Sequence, residues 1–309
     1  MNHDICWVLT GPTASGKTSL SLQIAKKHGC EIVCMDSMQI YRRMNIGTAK
    51  PTVEEMDGIP HHMIDVAEPT EPFSVARYQE MAEACIADIH ARGKRALLVG
   101  GTGLYLHALR NPMAMGDAAA DDAIRTELES LAAQEDGKQR LHDMLAEVDP
   151  DTAARLHLND VRRAVRALEV YKQTGVPFSK QPQLEEESRY QYRVATLTMD
   201  RALLYERIEK RVDLMIHQGL VAEVKELLES GVPADCQAMK AIGYKEIVPY
   251  IRGESTWEET DYLLKLNTRH YAKRQLTWMR RETDVLWVDA LASDAYQRIE
   301  DWFSQGEEA

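Results

Sequence analysis

The first hydrophobic run of the chain, Ile5-Cys6-Trp7-Val8-Leu9, is short and unbroken, and a glycine-bounded stretch from Gly11 to Lys17 follows it. Such a run fits a strand buried on both faces. From Thr18 to Lys27 the pattern turns helical. A second run, Glu31 to Met35, stops at Asp36. A third, Ala96 to Val99, follows a helical stretch from Ser74 to Arg92 and stops at Gly100-Gly101. Strands alternating with helices in this order predict a parallel sheet covered on both faces, an α/β core.

After Asn111-Pro112 the pattern changes. Residues up to about 185 are helical and acidic, with no strand-like run. Asn159 or Asp160 can cap a helix with the apolar face Val161, Ala164, Val165, Leu168 and Tyr171, and Gly175-Val176-Pro177 stops it. The polar tract Gln181 to Arg189 reads as a return linker and Tyr192 to Leu197 as another strand. Asp200 caps a long helix, and the remainder reads as mostly helical. The expected organisation is a core of residues 1–111 and 186–309, interrupted by a helical insertion at 112–185.

Composition narrows the class. The chain has 309 residues, 44% hydrophobic and 28% charged, the balance of a globular protein. No run approaches the ~18 apolar residues of a membrane span. Met1-Asn2-His3-Asp4 brings no basic segment before a short apolar stretch, so the expectation is a cytoplasmic chain without a secretory signal. Five cysteines form no CxxC pair and read as reduced thiols; Cys30 and Cys34 lack the partners of a zinc site.

Net charge is −12, which as a sum argues against nucleic acid. The distribution reopens the question. Residues 117–151 carry eleven acidic groups against three basic ones, whereas residues 262–281 carry six basic groups (Lys265, Arg269, Lys273, Arg274, Arg280, Arg281) and no acidic one. At ~100° per residue Lys265, Arg269, Lys273 and Arg280 share roughly an 80° arc of a helix. That stripe suits a polyanion, or is a solvated face.

Candidate chemistry starts at Gly11-Pro12-Thr13-Ala14-Ser15-Gly16-Lys17-Thr18, which fits G-x-x-x-x-G-K-[ST] between a strand and a helix. Loop amides and the helix N-terminus can ring a phosphate, Lys17 adds a point charge, and Thr18 can hold Mg²⁺. The motif indicates a di- or triphosphate and does not by itself indicate ATP. No late hydrophobic run is read as ending in the Asp of an ordinary Walker-B strand, and Asp36 is the strand-end carboxylate nearest the loop in sequence. A small-molecule kinase, the alternative reading, would also need an arginine-rich lid, and the insertion is acidic.

Around this loop the chain resembles the tRNA dimethylallyltransferases in their shorter bacterial form. The likeness rests on GPTASGKT (11–18), DSMQIYR (36–42), IGTAKP (46–51), HHMIDV (61–66), VGGTGLY (99–105), NDVRRAVRALEVY (159–171), AIGYKE (241–246) and TRHYAKRQLTWMRR (268–281). It implies a P-loop NTPase-like core whose loop holds dimethylallyl diphosphate, with Mg²⁺ on Thr18. It implies transfer to N6 of the adenosine 3′ of the anticodon. Asp36 would be the general base, or else a water-mediated Mg²⁺ ligand. Thr102 would bond the adenosine, or cap the helix after it. Arg211 would face the diphosphate, or pair with Glu206 or Glu209 on its own helix. Ser37, Met38 and Gln39 would join Asp36 and Thr102 around the flipped base. Contacts to the anticodon stem-loop would come from Arg162, Arg163 and Arg166 in the insertion. Lys240, Tyr244, Lys265, Arg269, Lys273, Arg274, Gln275 and Arg280 would supply the rest. A DDxxD metal motif is missing, since Asp121-Asp122 runs into Ala123. The expected enzyme is a monomer.

Overall fold

A computed structural model of the chain describes residues 5–111, 121–181 and 188–305. Its elements in chain order begin with β1 (Ile5–Thr10), α1 (Lys17–His28), β2 (Cys30–Cys34), α2 (Val53–Met56), β3 (His61–His62), α3 (Val75–Ala91), β4 (Arg95–Gly100) and α4 (Gly103–Arg110). Four helices follow, α5 (Asp122–Ala132), α6 (Gly137–Val148), α7 (Pro150–Ala153) and α8 (Val161–Thr174). The chain then forms β5 (Gln191–Thr198), α9 (Arg201–His217), α10 (Leu220–Glu229), α11 (Tyr244–Ile251), α12 (Trp257–Met279), β6 (Val285–Asp289) and α13 (Ala295–Ser304).

Six strands make one parallel sheet in the order β3-β2-β4-β1-β5-β6. Alternation along each strand sends successive side chains to opposite faces. Cys6, Val8, Val33, Leu98 and Val194 face one core, into which α3 and α4 deliver Tyr78, Ile86, Leu106 and Leu109. Trp7, Leu9, Ile32, Leu97 and Leu197 face the other, closed by Ile24 of α1 and by Ile299 and Phe303 of α13. All six residues of β1 are buried, which is why its first five are apolar without a break. Parallel strands also bring their carboxyl ends to one rim, where such sheets hold ligands.

Two strands escaped the sequence reading, which left the tail as helix. β6 is a five-residue edge strand, largely half-buried, within a charged stretch. β3 is only two residues long. β3 is too short for alternation to register, whereas β6 is an apolar run ending in Asp289, contrary to the expectation that no late run ends in Asp; β5 lies between it and β1, and Asp289 Oδ1 accepts the Leu291 amide.

The chain divides into two compact units, Met1–Asn111 with Ser188–Ala309, and Pro112–Glu187. The second has its own core of Leu128, Leu141, Leu145, Val165 and Leu168 from α5, α6 and α8. Beside it Glu169 is fully buried, paired with Arg125 (2.8 Å) and Arg166 (2.7 Å), and accepts the Asp121 amide (2.8 Å). Most of the linker read at 181–189, and the residues just past Asn111, lie outside the described residues.

Candidate active site

The loop between β1 and α1 turns at Gly16, whose φ of 93° is left-handed and disfavours any side chain there. Ala14 shares that region at φ 64°. The turn starts α1 at Lys17. Its ammonium lies back across the loop and donates to the carbonyls of Gly11 (2.9 Å) and Pro12 (2.7 Å), which leaves one N–H for a phosphate oxygen. Ser15 Oγ is buried in the loop without a hydrogen-bond partner. A phosphate in the loop would supply the acceptor.

Asp36 follows β2, and Thr102 follows β4, the neighbouring strand. Asp36 Oδ1 accepts the amides of Met38 (2.8 Å) and Gln39 (3.3 Å), so one carboxylate oxygen is committed to its own turn. Thr102 occupies the N-cap position of α4, yet its hydroxyl makes no capping bond. Instead Thr102 Oγ1 accepts the Ser37 amide at 3.1 Å, which ties the two strand ends together.

Arg211 comes from α9, the helix after β5, whose start Asp200 caps through the Ala202 and Leu203 amides. The pairing considered for it on its own helix is not formed. Glu206 takes Lys210, and Glu209 takes Arg269 at 2.7 Å. Burial pushes the Arg211 guanidinium below its usual range, opposed by the Asp36 and Glu55 carboxylates. Lys17 is pushed down to about 7, first by burial and then by the Arg211 charge, with Asp36 pulling upward. Lys17, Asp36 and Arg211, far apart in the sequence, thus act on one another.

Several residues expected at the RNA have partners within the chain. Tyr244 is fully buried, and its hydroxyl donates to Glu223 at 2.6 Å. Gln275 is buried too. Its Oε1 accepts the Thr13 amide (2.8 Å) and its Nε2 donates to the Gly101 carbonyl (3.2 Å), so it braces the phosphate loop against the turn after β4. Gln39 spends its amide on Cys34, Thr48 and Ala49. The stripe on α12 is not free of acids. Lys265 pairs with Asp213 (2.7 Å) and Asp261 (2.9 Å), and Arg269 pairs with Glu209. Lys240, Lys273, Arg274 and Arg280 are exposed, as are Arg162 and Arg163 of α8. Arg166 is spent on Glu169.

A family model described as IPP transferase matches residues 39–282. The chain belongs to the IPP transferase family. A tRNA dimethylallyltransferase of Bacillus mycoides is 52% identical over 293 residues, 94% of this chain and 92% of that one. Another, from Halalkalibacterium halodurans, is 48% identical over 94% of this chain and 93% of its own length. Among solved structures, the full-length tRNA isopentenylpyrophosphate transferase from Bacillus halodurans matches with a TM-score of 0.71 and 45% identity, covering 97% of this chain and 95% of that one. A eukaryotic dimethylallyltransferase acting on tRNA matches with a TM-score of 0.82 and 30% identity, over 97% and 80% of the two chains.

This IPP transferase site holds two groups that the sequence reading missed. Arg207 donates from Nε to the Ala14 carbonyl at 3.0 Å and so lays a second cation on the phosphate loop beside Lys17. Its spacing of four from Arg211 puts both on one helix face, a signal available in the sequence. Tyr271 lies beside Thr102 and Gln275, and burial and the Asp36 charge raise its hydroxyl pKa. Only the fold brings it there.

With Lys17 depressed, a diphosphate held at the loop should bind in a pH-dependent way. Bound diphosphate favours the charged ammonium. Below pH 7 Lys17 is already protonated and binding takes up little; above pH 7 uptake should rise toward one proton per diphosphate, with affinity falling in step. Calorimetry at about pH 8 in two buffers of different ionisation enthalpy measures it. No proton uptake under those conditions would mean that Lys17 stays charged in the free enzyme.

Proposed function

We propose that this chain transfers a dimethylallyl group from dimethylallyl diphosphate to N6 of the adenosine directly 3′ of the anticodon, position 37 of tRNA, and releases diphosphate. The observation that carries the reading is a phosphate loop after β1 at the same sheet rim as Asp36 after β2 and Thr102 after β4, which are tied together through Ser37, with the Arg211 charge bearing on Lys17. A loop made for phosphate and a proton acceptor there meet the two needs of alkylating a weak amine nucleophile.

The amine lone pair is delocalised into the purine, so attack on the allylic carbon needs proton removal as the C–N bond forms. Asp36 takes that proton on Oδ2, since its Oδ1 is held by the Met38 and Gln39 amides. The allylic C–O bond breaks, and its electron pair leaves on diphosphate. Lys17, Arg211 and the loop amides stabilise that charge where it develops. Thr102, bridged to Ser37, orients the adenine against Asp36.

The donor set also fits Mg²⁺. Thr18 is exposed, and its hydroxyl makes no hydrogen bond among the described residues. No cluster of three or more His, Cys, Asp or Glu suited to a metal exists among those residues, so substrate oxygens and water would complete the shell. The ion would offset leaving-group charge.

The base is extruded from its stack to reach the crevice, and exposed cations grip the surrounding phosphates. Among the described residues Lys273 and Arg280 have no ion-pair partner, unlike Lys265 and Arg269. Each phosphate contact adds about 0.7–0.9 to the slope of log affinity against log salt. Changing Lys273 and Arg280 to Gln should therefore lower the slope for tRNA by about 1.4–1.8, and changing Lys265 and Arg269 should lower it less. Salt titrations of tRNA binding compare the two pairs. Equal slopes in wild type and Lys273→Gln/Arg280→Gln would leave Arg162 and Arg163 as the grip.

No helix in the described residues is long and apolar enough to cross a membrane. Incubation with unmodified tRNA and radiolabelled dimethylallyl diphosphate, in parallel with ATP and small-molecule acceptors, tests the assignment. Label in tRNA is expected, whereas ATP turnover without label would return the chain to the kinases.

A further inference from the structure

The loop that follows Asp36 is held from outside by one carboxylate. Glu223, on α10, accepts the backbone amides of Asn45 (2.9 Å) and Ile46 (2.8 Å) on Oε2. Its Oε1 accepts the Gly47 amide (3.1 Å) and the Tyr244 hydroxyl (2.6 Å). Three consecutive amides thus converge on one side chain more than 170 positions away. The seat is tight, because a Cβ on Gly47 would come within 2.5 Å of the Tyr244 ring and 2.9 Å of Leu220.

The tie continues inward. The carbonyls of Thr48 and Ala49 each accept from Gln39 Nε2 at 3.1 Å, and Gln39 Oε1 accepts from Cys34 Sγ at 3.2 Å. The backbone amide of the same Gln39 donates to Asp36 Oδ1. Lys50 closes the loop on itself, donating to the Tyr41 carbonyl, Asn45 Oδ1 and Asp65 Oδ1. Hydrogen bonds, joined by the loop backbone and by the Gln39 side chain, therefore connect Glu223 through residues 45–49 and Gln39 to Asp36.

We propose that Glu223 is a positioning residue for prenyl transfer, fixing the 45–50 loop and through it the direction of the Asp36 carboxylate. The inference rests on Asp36 being the base. A carboxylate is what the position demands: four donors meet a group that only accepts. Glutamine has nearly the same shape but turns an NH₂ toward two of those donors, so Glu223→Gln unseats the loop without opening a cavity. Tyr244→Phe removes one donor and leaves all three backbone bonds.

The test measures single-turnover transfer to tRNA, with full dependence on dimethylallyl diphosphate concentration. The full-length chain is used as wild type, Glu223→Gln, Tyr244→Phe, Asp36→Asn and the double variant Asp36→Asn/Glu223→Gln. A displacement of about 1 Å at a reacting group costs on the order of 100-fold, so Glu223→Gln should lose about 10- to 100-fold in the saturated rate. Its half-saturation for the diphosphate should stay within about three-fold, and Tyr244→Phe should retain the rate within about three-fold. In the Asp36→Asn background Glu223→Gln should cost almost nothing more, because groups that act as a unit are not additive. Glu223→Gln at the wild-type rate would overturn the proposal, and so would a loss confined to diphosphate affinity or one that multiplies fully with that of Asp36→Asn. If Glu223→Gln is unfolded by circular dichroism at the assay temperature, Gln39→Leu, which cuts the same tie inside the loop, must show the same non-additivity with Asp36→Asn; additive losses would overturn it. A wild-type rate in Asp36→Asn removes the base assignment itself, an outcome separate from all of these.

Discussion

Asp36→Asn is expected to slow prenyl transfer by ~10²–10⁴, the usual worth of general-base assistance. The substitution is close to isosteric. The carboxamide oxygen would still accept from the Met38 and Gln39 amides that now bond Asp36 Oδ1, so the turn after β2 and the Thr102 bridge to Ser37 should persist. What is lost is the ability of the second atom to accept a proton. tRNA affinity should therefore remain within a few fold while single-turnover transfer collapses. Near-normal transfer would assign Asp36 to the metal-linked role instead.

Lys17→Ala carries the second large expected effect. Removal of one preorganised electrostatic group costs ~3–4 kcal/mol in the transition state, or about 10²–10³ in rate. Lys17 sits toward that limit, since it is half-buried and anchored to the Gly11 and Pro12 carbonyls. Its loss also frees those carbonyls to repel the diphosphate. Arg211→Ala should cost somewhat less, because Arg207 on the same helix remains on the loop. Both variants should bind tRNA as wild type does, as measured by filter binding or fluorescence anisotropy. If Arg211→Ala weakened tRNA binding and spared the chemical step, Arg211 would be an RNA contact.

What the sequence discloses about this site is local. The strand, loop and helix from Ile5 to His28 are legible because one buried strand and one glycine turn each leave a mark within a few residues. Asp36 and Thr102 are legible as the polar ends of apolar runs, and strand order then makes them neighbours. Contacts made at long range are illegible. Asp213 and Glu209, which pair with Lys265 and Arg269, stand on α9, a whole helix pair earlier in the chain, while Asp261, the other partner of Lys265, lies one residue before the acid-free stretch that begins at Tyr262. Tyr244 and Gln275 look like solvent-facing polar groups until packing buries them under the 45–47 loop and the phosphate loop. Glu223 is one acid among several on an amphipathic helix; three backbone amides single it out, and backbone amides leave no trace in a sequence.

The most direct measurement joins the two halves of the site in one product. Unmodified tRNA is incubated with the chain, Mg²⁺ and dimethylallyl diphosphate, then cleaved to oligonucleotides and nucleosides and read by mass spectrometry. One dimethylallyl group per tRNA is expected, on N6 of the adenosine immediately 3′ of the anticodon, with diphosphate released in equal amount. A tRNA carrying guanosine at that position should stay unmodified. An unchanged adenosine tRNA, or a dimethylallyl group on any other atom, would contradict the joint assignment of the phosphate loop to dimethylallyl diphosphate and of Asp36 to the adenine amine.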